Sequence, residues 1–233
     1  MLAPVIRLFL LFFIVGPVVA GSVGILLPAF GWFPPLGGER ISFIPFKTML
    51  VAPGMVQSVW LSLSTALLST SLSYFCVMLF LAVIWERQLA QKLLKALFPL
   101  LSVPHVTIAV GLMFLLQPSG WLVRLVSPAL TGWERPPVFG GLPDDNGFLL
   151  VFGLMTKEIP FLLLMTLSAL SQLPARQWIS ASRTLGYGPV TSWFLIVQPN
   201  LSHRLLLPVL IVLVFSVSVV DMAIILAPTT PPP

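Results

Sequence analysis

The chain has 233 residues, 58% of them hydrophobic and only 8% charged, with a mean hydropathy of +1.04. A soluble domain carries about 25% charged residues, so the composition excludes a water-soluble globular domain and fits an integral membrane protein built mostly of helices. The net charge of +5 does not argue for nucleic acid, because the twelve basic residues are scattered between apolar runs, as membrane topology rather than a polyanion requires.

In chain order, the first apolar run covers 5–27. A signal peptide competes with a retained helix here, since "PVVAGS" offers a small-residue site near Ala20. The run continues to Phe30, past the roughly 7–15 residues of a signal h-region, which favours a retained helix. Gly16, Ala20 and Gly24 recur at four-residue spacing, which permits close helix contact. Four further runs, 56–85, 97–117, 148–170 and 205–226, each hold about 20 residues or more, enough for a hydrocarbon core near 30 Å. The expected fold is therefore an all-α, polytopic membrane bundle of about five transmembrane helices.

The single cysteine, Cys76, lies inside the second run, so no intrachain disulfide and no cysteine-based metal site is expected. His105 and His203 are far apart, without partners at ligand spacing, and no metal site is expected from them. With the amino terminus in the cytoplasm, the inner basic set is Arg7, Arg87, Lys92, Lys95, Arg176, Arg183 and Arg204. The outer set is Arg40, Lys47, Arg124 and Arg135. That excess of basic residues inside sets the expected orientation. The Pro-, Gly- and Trp-rich segments on the outer side carry no catalytic signature; "WLVRLVSPAL" reads as a short surface helix.

Charges inside the runs are the next feature. Lys157 and Glu158 sit about ten residues into the fourth run, near its midplane, where a charge costs about 2.5–3.5 kcal/mol. Adjacent helical positions point about 100° apart, so the two need not pair with each other. They are candidates for a pathway or gate, or equally for buried contacts between helices, and Pro160 just beyond them is placed to kink the helix. Asp221, late in the fifth run, invites the same two readings.

Between the fourth and fifth runs stands a patterned, partly polar insert, "SASRTLGYGPVTSWFLIVQP", which the orientation places in the cytoplasm. Pro174 suits the first turn of a helix that runs from Ala175 to Leu185 and stops at Gly186. A second helical piece follows from Val190 to Val197, ending at Pro199. A short helix held out of the bilayer between two spans suits docking into a partner's groove; an ordinary cytoplasmic loop is the plainer alternative.

The insert resembles the cytoplasmic loop of ATP-binding-cassette importer permeases, whose pattern is E-A-A, three residues, Gly, nine residues, then I-x-L-P. Ala181 matches the first Ala, Gly186 the Gly, Ile196 the Ile and Pro199 the Pro, with both spacings kept and Arg183 and Leu185 inside a common "RTLG" filling. Ser180 replaces the Glu, Ser182 the second Ala, and Gln198 the Leu. "LSVPHVTIAVGLMFLLQPSGWLVRL", "KEIPFLLLM" and "SVVDMAIILAPTTPPP" are similar to segments of the two-halved permeases related to those for thiamine and ferric iron, so the resemblance covers 56–233. It implies a type I ABC importer permease fold, with a first helix and outer loop at 1–55, a permease core at 56–233 and a coupling loop at 175–199. It also implies partners: a cytoplasmic ABC ATPase subunit that binds the ATP, an external solute-binding protein, and a second permease half or subunit, all at a bacterial inner membrane. No phosphate-cradling G-x-x-x-x-G-K-[ST] motif is present, so this chain is not expected to be an enzyme. Five spans leave "PTTPPP" outside, where such a core crosses again, so a truncated or amino-terminal fragment is expected.

Two other classes fit the same residues. An ion- or proton-coupled secondary transporter would place Lys157, Glu158 and Asp221 at a midplane site. A non-transporting membrane assembly protein would need none of these roles.

Overall fold

The computed structural model describes residues 2–85, 99–117, 120–134, 144 and 146–227. Arg87, Lys92, Lys95, Arg135, residues 97–98 of the third expected span and the terminal "PTTPPP" lie outside these. Two compact units are distinguished, Met1–Met55 and Val56–Pro233.

The first unit holds α1 (Leu2–Ala29), a two-residue antiparallel hairpin of β1 (Trp32–Phe33) and β2 (Gly38–Glu39), and α2 (Ile44–Leu50). Among the described residues these are the only strands. The side chains along α1 from Phe9 to Ala29 are apolar and mostly exposed, apart from Ser22, whose hydroxyl donates to Val18 O at 2.8 Å; this is the surface expected of a helix solvated by lipid rather than by water.

The second unit begins with α3 (Met55–Ile84), whose 30 residues reach about 45 Å at 1.5 Å per residue. Its buried positions recur at helical spacing and divide by chemistry. Thr65, Ala66, Ser69, Thr70 and Ser73 form a hydroxyl-rich half, and Val77, Met78, Leu81 and Ala82 an apolar half. There follow α4 (His105–Leu116), α5 (Trp121–Val126), α6 (Phe148–Leu170), α7 (Ala175–Thr184), α8 (Pro189–Ser192), a π-helical turn at Trp193–Val197, α9 (Gln198–Ser218) and α10 (Asp221–Leu226). The chain is thus all-α and polytopic, with five helical stretches long and apolar enough to cross a membrane among the described residues.

Three expectations about the spans need correction. The third is not continuous: helical residues 99–102 stop at Val103 and Pro104, and α4 restarts at His105. Proline has no N–H to offer the preceding turn and biases the residue before it away from helix. The fifth does not run through 226: α9 ends at Ser218, Val219 is extended, and Asp221 opens the separate α10. Nor does Pro199 end the helical piece before it. Trp193, Val197, Leu201 and Leu205 form one buried stripe at four-residue spacing, so packing carries the helix through. The wider π turn precedes Pro199, where its missing N–H is least disruptive.

Two apolar clusters hold this unit. One joins α3, α6, α7 and α9 around Trp193, Leu162, Leu201 and Leu205; the other joins α4, α6 and α10 around Leu154, Met222 and Leu226. At Gly153 a Cβ would stand 2.5 Å from Leu226 Cδ1 and 2.9 Å from Met222 Cε, so a larger residue there would make these two side chains of α10 shift. The start of α6 is capped by Asp144, whose carboxylate accepts from Phe148 N at 2.7 Å and Leu149 N at 2.8 Å.

Candidate functional site: the loop helix and the buried charges of the fourth span

The insert folds as a closed helical knuckle. α7 buries Ala175, Ile179 and Ser182 on one side and exposes Arg176, Ser180, Ala181 and Arg183 on the other. It ends in a Schellman motif: Tyr187 N donates to Ser182 O at 3.2 Å and Gly186 N to Arg183 O at 3.0 Å. Gly186 has φ +87°, in the left-handed region that side chains with a Cβ rarely enter. The reversal leaves Leu185 and Tyr187 exposed at the tip, 77% and 49% respectively.

Two of the three departures from the permease pattern have partners in the structure. Ser182 Oγ donates to Ser192 Oγ at 2.6 Å, and Ser192 Oγ to Gly188 O at 2.8 Å, so buried hydroxyls link α7 to α8. Gln198 Nε2 donates to Tyr74 Oη on α3 at 3.2 Å. The third, Ser180, is exposed and lines a cavity of about 240 Å3 with Trp85, Arg176, Ile179 and Arg183. Ile196 is half-buried in the π turn and Pro199 is exposed.

Lys157 and Glu158 face different partners, as adjacent positions on one helix should. The Glu158 carboxylate is 4% exposed and accepts from three serines. Ser69 Oγ donates to Oε1 at 2.9 Å, Ser73 Oγ to Oε2 at 2.7 Å, and Ser216 Oγ to Oε1 at 2.6 Å. One side chain on α6 therefore ties α3 and α9 together through short, charge-assisted bonds. The three serines are absent from the sequence-based site. The signal was legible in principle, because Thr65, Ser69 and Ser73 repeat at four-residue spacing on α3.

Lys157, 8% exposed, points at the broken third span. Its ammonium donates to Leu100 O at 3.0 Å, Leu101 O at 2.9 Å and Val103 O. These carbonyls lie in and just past the last turn of a helix that stops short of Pro104, where intrahelical donors run out. His105 begins the next helix and packs against Phe215, with ring centroids 4.9 Å apart and the planes tilted by 40°. A cavity of about 250 Å3 opens among His105, Lys157, Glu158, Phe161, Val212 and Phe215. Asp221 is not in its lining; its Oδ1 accepts from Met222 N at 3.0 Å in the first turn of α10. His203 is exposed on α9, and no group of three His, Cys, Asp or Glu side chains is placed to share a metal ion among the described residues.

No family model matches the chain. Over 221 residues it is 26% identical to the "Inner membrane ABC transporter permease protein YnjC" of Escherichia coli (strain K12). The aligned region is 94% of this chain but 39% of that protein, so the chain spans about two-fifths of its relative's length. A glycine-closed loop helix, five span-length helices and likeness along nearly the whole sequence converge: this chain is similar to an inner membrane ABC transporter permease.

Proposed function

We propose that the chain is a membrane-spanning permease subunit of an ATP-driven importer, with its amino terminus in the cytoplasm. A separate cytoplasmic ATPase docks on segment 175–188, a second permease half or subunit completes the pathway, and an external binding protein delivers the solute. The observation that carries this reading is the loop helix itself. It is fixed to the bundle by Ala175, Ile179 and Ser182, closed by Gly186, and presents apolar Leu185 and Tyr187 outward. Exposed apolar side chains on a rigid tip are the pattern of a docking knuckle rather than of a solvated loop.

The route from that tip to the bundle is short. α7 is joined to α6 by a tight turn, with Leu173 N donating to Leu170 O at 3.1 Å, and it packs on the Trp193 segment that leads into α9. α6 carries Glu158 and α9 carries Ser216, whose hydroxyl the carboxylate holds. A displacement of α7 by a closing ATPase therefore acts on the two helices joined at Glu158. We assign Lys157 and Glu158 to the gate rather than to solute contact, because protein groups already engage all three Lys157 donors and both Glu158 oxygens. Asp221, at the head of α10, is outside this pair and its cavity. Coupling of this kind requires two arrangements of the bundle with different affinity for the ATPase.

The test is co-isolation. The chain purified from its own membranes with an affinity tag is expected to carry an ATPase subunit, and deletion of 176–188 is expected to remove that subunit while the chain still reaches the membrane. Retention of the ATPase by the deleted chain would refute the docking site.

A further inference from the structure

The geometry points to a monovalent-cation site built from the backbone oxygens of Leu100, Leu101 and Val103, in which the Lys157 ammonium is the resident cation. A lysine ammonium has three donors and no acceptor, and here all three have a carbonyl partner. The oxygens belong to a helix end, where unpaired carbonyls and the macrodipole gather partial negative charge. Interrupted helices whose carbonyls converge in this way are what coordinate alkali ions inside membranes. Here the position is taken by a cation tethered to α6 instead.

The consequence separates this protein from an ion-coupled device. A chain that supplies its own cation at the helix break needs none from solution to hold residues 99–102, α4 and α6 together. Lys157 is on this account a positioning residue, and the site behind it becomes available to a free ammonium or potassium ion once the side chain is removed. The inference concerns the helix break alone and stands whether or not an ATPase docks on α7.

Two variants of the purified full chain test it, in chloride salts of N-methyl-D-glucamine, sodium, potassium or ammonium at equal ionic strength. Lys157→Ala leaves the oxygens open; Lys157→Met fills the same space with an apolar chain of similar length. The wild type is expected to unfold at one rate in all four salts. K157A is expected to unfold on the order of tenfold faster in N-methyl-D-glucamine, because part-buried carbonyls are left without donors. Ammonium or potassium should then return it towards the wild-type rate with saturation. K157M is expected to be as labile as K157A and to gain nothing from either ion. Wild-type stability of K157A without a small cation would overturn the proposal, as would its indifference to ammonium and potassium, or equal rescue of K157M. If K157A accumulates too poorly to purify, the yield of folded protein from cell-free synthesis into vesicles, with potassium or ammonium against N-methyl-D-glucamine, provides the same contrast. Equal failure in every salt overturns the proposal there too.

Discussion

Replacing Glu158 by alanine is expected to destabilise the bundle by about 3 kcal/mol, against about 1 kcal/mol for replacement by glutamine. The difference follows from what the three serines do afterwards. Ser69 Oγ can fall back on Ala66 O at 3.1 Å and Ser216 Oγ on Val212 O at 2.9 Å, each within its own helix. Alanine therefore leaves few orphaned hydroxyls. What it removes is a link by which one side chain of α6 holds both α3 and α9, and it opens a void among buried groups. Hydrogen bonds between membrane helices average about 0.6 kcal/mol and reach about 1.7, so three bonds to one carboxylate together with the void account for the figure. Glutamine keeps an acceptor oxygen for two serines and offers its amide to the third, whose hydroxyl accepts as readily as it donates. Heating the detergent-solubilised variants and measuring the fraction that remains monodisperse checks this. Wild-type behaviour of E158A would remove Glu158 from any structural role.

Gly186→Val is expected to reduce ATPase retention by about tenfold, the equivalent of about 1.4 kcal/mol, without lowering the amount of chain in the membrane. A β-branched residue held at φ +87° costs roughly 1–2 kcal/mol locally, and the chain relieves that strain by giving up the Schellman closure. Leu185 and Tyr187 then no longer share one fixed tip. Space is not the cause, since nothing lies within 4 Å of a Cβ built at Gly186. Gly186→Asn therefore serves as the control: asparagine enters the left-handed region more readily and should retain most of the ATPase. Equal loss with Asn and Val would point to a direct contact at Gly186 instead of backbone geometry.

The features legible in the sequence were those governed by local chemistry. Apolar runs of 20 residues or more can only be satisfied in lipid, so the number and type of the spanning helices followed from composition. Gly186 after a short amphipathic stretch gave the end of α7, because a left-handed cap needs a glycine there. The breaks in the third and fifth spans were missed for a physical reason. Pro104 and Val219 interrupt stretches whose hydropathy is continuous, and hydropathy reports solvation, not backbone hydrogen bonding. Pro199 failed in the opposite direction: the buried Trp193–Leu205 stripe and a π turn override a residue that in isolation ends helices. Lys157 and Glu158 stood out as charges in an apolar run, but their partners did not. Ser69, Ser73 and Ser216 are 89, 85 and 58 positions away from Glu158 in the chain, and only the tertiary fold brings them to it.

A cytoplasmic ATPase can dock on the α7 tip only if the tip faces the compartment where ATP is hydrolysed. With Cys76, the chain's single cysteine, replaced by serine, a cysteine placed at Tyr187 reports on that side directly. A membrane-impermeant maleimide should leave it unmodified in right-side-out vesicles and modify it in inverted ones. Modification in the right-side-out vesicles would put the tip beyond the reach of any cytoplasmic ATPase and contradict the proposed energy supply.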